Sequence, residues 1–454
     1  AAQKPHGIPA GEVPAVRTAE DEAKQKSTVS KNDQVKLNYW GYGQSETYYC
    51  APKAAYAADP HRAGLEFKAL VRSLHQAGIE VLLDIYFMPG TNVCLMEDCL
   101  RNWVLEYHID GFRVNQEVMP AQMLVSDPVL SGVKLLTDYW NRELIAGAYG
   151  ESGTFAEYNE GFMNCARRYL KSDEGQVEGF AGLFRRGSDN LASINFMTHV
   201  NGFTMTDLVS YDVKHNEQNG EGNQDGTEYN YSWNCGVEGK SRKKFIQARR
   251  MCQIRNAFAM MLLAQGTPML LAGDEFGNTQ EGNNNPYCQD NEITWLDWRM
   301  TSAKTEILEY VKKLIAFRRK HPVLHQGREL YMFDSLSCGM PDVSIHGTQA
   351  WKADFSYYSR MLAVLLYGDY RKKDDGTADD SLYIIFNMYW ESRSFDLPNL
   401  PGEKEWYPAI ETYGNTFSEV PVPVCRKKRR RKPSLESQKK TIVPPRSIVV
   451  FVGR

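Results

Sequence analysis

Apolar positions recur along the first two thirds of the chain in two alternating rhythms. From Leu65 to Ala77 they return every three or four residues, the period of one helix face. Val81-Leu82-Leu83-Asp84-Ile85-Tyr86 then runs almost unbroken, as a strand buried on both faces does. The pair repeats as a helix from Cys94 to Tyr107 and a strand over Gly111–Val114. Beyond it the pattern predicts a short strand at Leu144-Ile145-Ala146, a helix from Asn164 to Leu170 and a strand from Ile194 to Thr198. A long helix from Lys243 to Ala264 is stopped by Gly266 and Pro268. A strand from Met269 to Ala272 and a helix from Ile307 to Arg319 complete the series, which Pro322 ends. Alternation of this kind predicts an α/β fold, and so many units predict a barrel more than an open sheet. After Pro322 the rhythm changes. Met361–Tyr367, Leu382–Phe386, Arg393–Leu397 and Ser447–Val452 read as strands separated by Gly, Asp and Pro, an antiparallel β domain.

Chemistry is expected where strands end, because the C-terminal strand ends of a parallel barrel carry the active site. In Tyr107-His108-Ile109-Asp110-Gly111-Phe112-Arg113-Val114-Asn115, side-chain alternation puts Arg113 and Asn115 on one face. A buried arginine needs a carboxylate partner, and the preceding strand offers Asp84.

Composition narrows the partners. The 454 residues suffice for two or three domains, and 42% hydrophobic with 12% aromatic residues marks a globular chain. A net charge of −3 gives no electrostatic argument for nucleic acid or a membrane surface. No apolar run approaches the ~18 residues of a membrane helix. Nine cysteines without a CxxC pair favour free thiols in a reducing, cytoplasmic setting, with no metal site and no cofactor motif. Residues 1–37 are polar, carry Pro5, Pro9 and Pro14, and read as a linker or surface loop. They hold no initiating Met and no signal core, so the chain reads as part of a longer one. The basic run from Arg426 to Lys432 reads as a solvated loop or a partner-binding patch.

Two long stretches bring a resemblance. Asp207-Leu208-Val209-Ser210-Tyr211-Asp212-Val213-Lys214-His215-Asn216-Glu217 leads to Tyr231-Ser232-Trp233-Asn234-Cys235-Gly236. Gly273-Asp274-Glu275-Phe276-Gly277 leads to Gly282-Asn283-Asn284-Asn285-Pro286-Tyr287-Cys288-Gln289-Asp290-Asn291-Glu292. Together with Asp110-Gly111-Phe112-Arg113, they resemble the isoamylase and glycogen-debranching branch of the α-amylase superfamily, glycoside hydrolase family thirteen, in a degenerate bacterial-type form. The resemblance runs from about Asn38 to the end. It implies a (β/α)₈ TIM-type barrel over 38–322, represented by strands three to eight with the first two missing. A C-terminal antiparallel β-sandwich over 323–454 follows. It also implies a ligand, α-glucan of the glycogen or starch type. In the family a long loop follows the strand of Asp84; here Met88-Pro89-Gly90-Thr91-Asn92-Val93 replaces it.

Retaining glycosidases need two carboxylates, one as nucleophile and one as acid/base. By the resemblance the nucleophile position is Asn115, where the family pattern D-G-F-R-F-D ends in Asp. The acid/base position, taken to follow Leu144-Ile145-Ala146, is Gly147. The third carboxylate position is Asn201 and the adjacent histidine position is Val200. An amide forms no glycosyl ester and glycine protonates nothing. The sequence therefore implies a catalytically inactive debranching-enzyme-like protein that binds glucan or partners an active homologue. An active α-1,6-glucan hydrolase with relocated carboxylates, Glu151 the first substitute, is the alternative. Asp84 and Arg113 remain as scaffold. Tyr39, Trp40, Tyr42, His215, Asn216 and Trp233 are the candidate sugar contacts.

Overall fold

The helix Val93–Tyr107 shows why the chain alternates as it does. Asn92 caps it by accepting from the Cys94 backbone N–H at 2.9 Å, and His108 ends it in left-handed conformation, φ 57°. Met96, Cys99, Leu100 and Trp103, three and four residues apart, form its buried face. The chain then enters a strand through buried Ile109. These coordinates are a computed structural model that describes residues 36–40, 49–145, 154–187, 191–402, 404–418 and 438–454.

Six strands form one parallel sheet in sequence order: β1 (Leu82–Ile85), β2 (Gly111–Val114), β3 (Lys134–Thr137), β4 (Phe155–Tyr158), β5 (Ala192–Phe196) and β6 (Thr267–Met269). Helices cross between them, including Ala63–Gln76 ahead of β1 and Glu160–Leu170 and Val177–Arg185 between β4 and β5. This is the sequential parallel order of a TIM-type barrel.

The expected strand at Leu144-Ile145-Ala146 is not there; Arg142–Ile145 is a helical turn. The strands on either side of that turn are β3 and β4, which the apolar pattern did not disclose. Their segments, Lys134-Leu135-Leu136-Thr137 and Phe155-Ala156-Glu157-Tyr158, are masked by the more apolar Leu144-Ile145-Ala146 between them. β6 also begins and ends earlier than the expected Met269–Ala272, because Pro268 lies inside a strand of three residues.

The antiparallel strands all lie beyond Pro322. They are β7 (Val343–His346), β8 (Met361–Leu366), β9 (Ser381–Asn387), β10 (Arg393–Asp396), β11 (Trp406–Glu411), β12 (Thr416–Phe417), β13 (Lys440–Val443) and β14 (Ser447–Gly453). Six of them form a sheet in the order β12-β11-β14-β9-β8-β7, and β10 pairs with β13 in a second layer. Alternation along β9 divides its neighbours. Tyr383 and Ile385 face Phe395 and Val443 of the small layer, while Leu382, Ile384 and Phe386 join the core of the α/β part. The C-terminal domain is thus a sandwich on one side and a floor for helices on the other.

One core runs through both parts. Phe386 packs against Phe180 and Phe184 at ring-centroid distances of 5.4 Å each. A buried aromatic of this kind contributes roughly 1.5–3 kcal/mol. The helix Lys244–Leu263 is buried without a break from Cys252 to Leu263. Its polar groups reach across rather than outward. Arg255 donates to the Thr412 carbonyl at 2.7 Å and pairs with Glu306 at 2.8 Å, and Asn256 donates to the Arg446 carbonyl at 2.7 Å. Burying such groups is tolerable only with partners of this quality.

Above the sheet, Asp274 ties the ends of β5 and β6 together. It accepts from the Thr198 hydroxyl and from the Met205 backbone N–H at 2.8 Å. Burial pushes its carboxyl up to about 7 against these bonds, and burial likewise pushes Asp207 up to about 6.

The folded chain therefore keeps a proton on Asp274 that the unfolded chain releases above about 4. The linkage sign follows: stability falls as pH rises from about 4 to about 7 and levels off above that. Asp274→Asn keeps an acceptor for Met205 and removes the titration. Its melting temperature relative to the parent should improve steadily across that window. A difference that stays flat with pH would count against a protonated Asp274.

Among the described residues β1 pairs with β2 alone and β6 with β5 alone, so each has one unpaired edge. Leu82 and Tyr86 at the β1 edge are exposed. Exposed edges invite pairing with other chains. Leu82→Lys should lower concentration-dependent association in analytical ultracentrifugation without lowering the melting temperature. Unchanged association would remove this edge as its cause.

Candidate active site

The parallel register decides which side chains meet. Asp84 pairs with Arg113, and Arg113 with Leu136, so these three point to one side of the sheet. Two residues further along each strand, Asn115 and Asp138 point the same way. Leu136 pairs with Ala156, which adds Tyr158 to the row. The C-terminal end of the sheet thus carries Asp84, Arg113, Asn115, Asp138 and Tyr158 on one face.

Arg113 is the centre of this group. Its Nη1 lies 3.1 Å from Asp84 Oδ2 and its Nη2 lies 3.1 Å from Asp138 Oδ1. The guanidinium carbon lies 5.1 Å from the Tyr158 ring centroid. Burial on its own lowers the Arg113 pKa, but the charges of Asp84 and Asp138 more than offset this and hold it above the usual arginine range. The expected Asp84–Arg113 pair forms, but it is not deeply buried: the side chains are 23% exposed for Arg113 and 36% for Asp84.

Asp138 was missed by sequence reasoning because its strand was missed. The acid/base position had been sought after Leu144-Ile145-Ala146, at Gly147. The strand beside β2 is β3, and the residue at its C-terminal end is Asp138, a carboxylate. The signal was present: Asp138 follows Leu135-Leu136 much as Asp84 follows Leu82-Leu83. Buried Trp140 fixes the turn after it, donating from its indole to the Ala156 carbonyl at 3.0 Å and from its backbone to Glu157 at 2.8 Å. Gly147 and Glu151 lie outside the described residues, as does Tyr42.

Asn115 is tied down on both sides of its amide. Its Oδ1 accepts from the Phe87 backbone N–H at 3.1 Å, and its Nδ2 donates to the Phe87 carbonyl at 3.0 Å. It clasps the segment that leaves β1. That segment is further held by the Tyr49 hydroxyl, which accepts from the Met88 N–H at 3.2 Å, and by Thr91, whose hydroxyl donates to the Met88 carbonyl at 2.7 Å. Asn201 and Val200 lie past the end of β5 and are exposed. His199, not singled out from the sequence, packs near the rings of Tyr158 and Phe196, at 6.0 and 5.7 Å. Burial first, and the Arg113 charge next, lower its pKa and favour the neutral ring.

The expected sugar contacts divide. Tyr39 and Trp40 are half-buried, and the Tyr39 backbone donates to the Tyr287 carbonyl at 2.9 Å. His215 is half-buried, with Glu238 3.3 Å from its Nε2. Two others must be corrected. Asn216 is fully buried, and its amide is spent on the Asp225 carbonyl and on Asn284. Trp233 lies beside Arg446, 4.3 Å from its ring centroid, and Arg249, at 5.7 Å. Loop packing and the junction with the C-terminal domain occupy both groups.

No protein-family model matches the chain. The glycogen operon protein GlgX homolog of Mycobacterium tuberculosis is 32% identical to it over 458 aligned positions, covering 83% of this chain and 63% of that protein. The glycogen debranching enzyme of Klebsiella pneumoniae is 37% identical over 358 positions, covering 64% of this chain and 54% of the enzyme. The chain therefore spans little more than three fifths of the first of these relatives. A pullulanase from Paenibacillus barengoltzii, crystallised with maltohexaose and alpha-cyclodextrin, shares the fold. Its TM-score is 0.61 at 19% identity, over 93% of this chain and 66% of that one.

Removing Arg113 would leave two carboxylates and a tyrosine facing an empty space. Arg113→Met should cost about 1–3 kcal/mol in urea unfolding, below the value for a fully buried pair because these side chains are partly hydrated. Adding Asp84→Asn and Asp138→Asn to that variant should recover part of the loss. A cost below about 0.5 kcal/mol, typical of a plain surface substitution, would show that Arg113 does not hold the strand ends together.

Proposed function

We infer that this homologue of the glycogen debranching enzymes, of the isoamylase branch of the α-amylase superfamily, binds α-glucan without hydrolysing it. The single observation that carries this reading is the Asn115 clasp. A retaining glycosidase needs a carboxylate there, free to attack the anomeric carbon. Asn115 has no charge, and both ends of its amide are already bonded to Phe87. The two carboxylates nearby, Asp84 and Asp138, share one guanidinium. Asn201 supplies no third charge. Glucan as the ligand is supported by the relatives, which are named for glycogen, and by the oligosaccharide-bound pullulanase of the same fold. Tyr39, Trp40 and His215 are the side chains we assign to its contacts.

Asp138 favours a second reading, an α-1,6-glucan hydrolase with a rearranged acid pair. The two readings separate cleanly. Affinity electrophoresis in glycogen or amylopectin gels should retard the protein. Reducing-end assays on glycogen, amylopectin and pullulan should stay at the buffer blank. Asn115→Asp alone should not restore activity, because a new carboxylate still lacks an acid freed from Arg113 and a third charge at Asn201. Mobility that does not change with polysaccharide concentration would remove glucan binding. Hydrolysis by the unmodified protein that Asp138→Asn abolishes would establish the second reading.

A further inference from the structure

A cavity away from the strand-end group lies between the helix Ser302–Lys320 and the edge of the C-terminal sheet. It encloses about 510 Å³. Lys312, Lys313 and Lys320 of the helix line it on one side, and Tyr407 of β11, Phe417 of β12 and Arg454, just past β14, on the other. Four cations thus meet one lining carboxylate, Asp380, which already pairs with Lys373 at 3.2 Å. Lys312 has a partner in Glu309 at 3.0 Å. Among the described residues no carboxylate lies within ion-pair distance of Lys313 or Lys320.

The two aromatic rings aim the charges. Lys313 Nζ lies 5.5 Å from the Phe417 ring centroid, and the Arg454 guanidinium lies 5.6 Å from that of Tyr407. Cation–π contact holds each head near the ring instead of letting it swing into solvent. The Arg454 Nε is buried and has no hydrogen-bond partner. Ala409, Val452 and Phe317 add apolar wall, and Ser418 adds a hydroxyl.

We propose that this cavity binds a small phosphorylated sugar. The dianion bridges the Lys313 and Lys320 ammonium groups and the Arg454 guanidinium. The ring sits on the apolar wall with its hydroxyls toward Ser418; the Tyr407 hydroxyl already donates to Glu405 at 3.1 Å. The cavity is larger than a bare phosphate requires and lies within the size range of small-molecule sites. Charge-assisted bonds to phosphate are the interaction such a cationic cluster makes best. The inference is independent of glucan binding, which belongs to the sheet end.

Isothermal titration of the full chain with glucose 6-phosphate, inorganic phosphate and glucose tests it. Glucose 6-phosphate should bind saturably at one site, phosphate at least about tenfold more weakly, and glucose not at all. Lys313→Glu with Lys320→Glu should weaken glucose 6-phosphate binding at least about tenfold. Both lysines are exposed, so the melting temperature and the mobility in glycogen gels should stay as in the parent. Lys313→Gln with Lys320→Gln serves if charge reversal disturbs folding. Absence of saturable heat, phosphate binding as tight as the sugar phosphate, or undiminished binding in the variants would each overturn the proposal.

Discussion

The end of the parallel sheet is organised by one guanidinium. Arg113 rises from β2, pairs with a carboxylate on the strand before it and another after the strand behind it, and lies over a ring from the strand beyond. Four successive strands are joined by a single side chain. An arginine suits this place as a lysine would not, because its planar fork offers separate N–H groups to two acids at once. The parallel register brings them together: with Leu82 paired to Gly111 and Gly111 to Lys134, Asp84 lies beside Arg113 and Asp138 follows on the same face.

The lower half of the molecule depends on a different device. The long helix Lys244–Leu263 is buried all round from Cys252 to Leu263, so that stretch cannot be amphipathic in the ordinary sense. Its apolar residues fill the common core, and its few polar residues bond to loops of the C-terminal domain. Arg255 donates to the Thr412 and Tyr413 carbonyls there, and Asn256 to that of Arg446. The two domains are therefore neither separable by composition nor independent in energy. A chain cut at the change of rhythm near Pro322 would expose both the face of β9 and the polar side of this helix.

Much of this was legible beforehand. Long helices declare themselves by period, and the predicted β2 matches to the residue; β1 forms where expected, but as a part-exposed edge strand and not one buried on both faces. The Asp84–Arg113 pair followed from the cost of an unpaired arginine near a strand end. What stayed hidden were β3 and β4, because the helical turn between them carries Leu144 and Ile145, which mimic a strand. That one misreading moved the expected acid to a glycine and concealed Asp138. Side-chain commitments were also invisible: nothing in a sequence says that Trp233 meets two guanidinium groups or that the Asn216 amide is exhausted within its own loop. The resemblance supplied which positions matter, and only the ladder register could say which residues occupy them.

The clasp at Asn115 gives the loss of the carboxylate a physical consequence beyond lost chemistry. An amide donates and accepts, and here it does both to one backbone unit, the N–H and C=O of Phe87. An ionised aspartate in the same rotamer would still accept from the N–H, but it would set an oxygen against the Phe87 carbonyl. The substitution thus converts a repulsive contact into a hydrogen bond, worth about 1 kcal/mol in an ordinary setting. It does so where the chain turns abruptly from β1 into the next helix without a long loop to support it. Functional sites hold strained or mismatched groups at the expense of stability, and releasing them commonly stabilises a fold. On the proposed reading Asn115 is such a release, a structural group at a position where the chemistry needs a reactive one, and the connection after Phe87 is the element it holds.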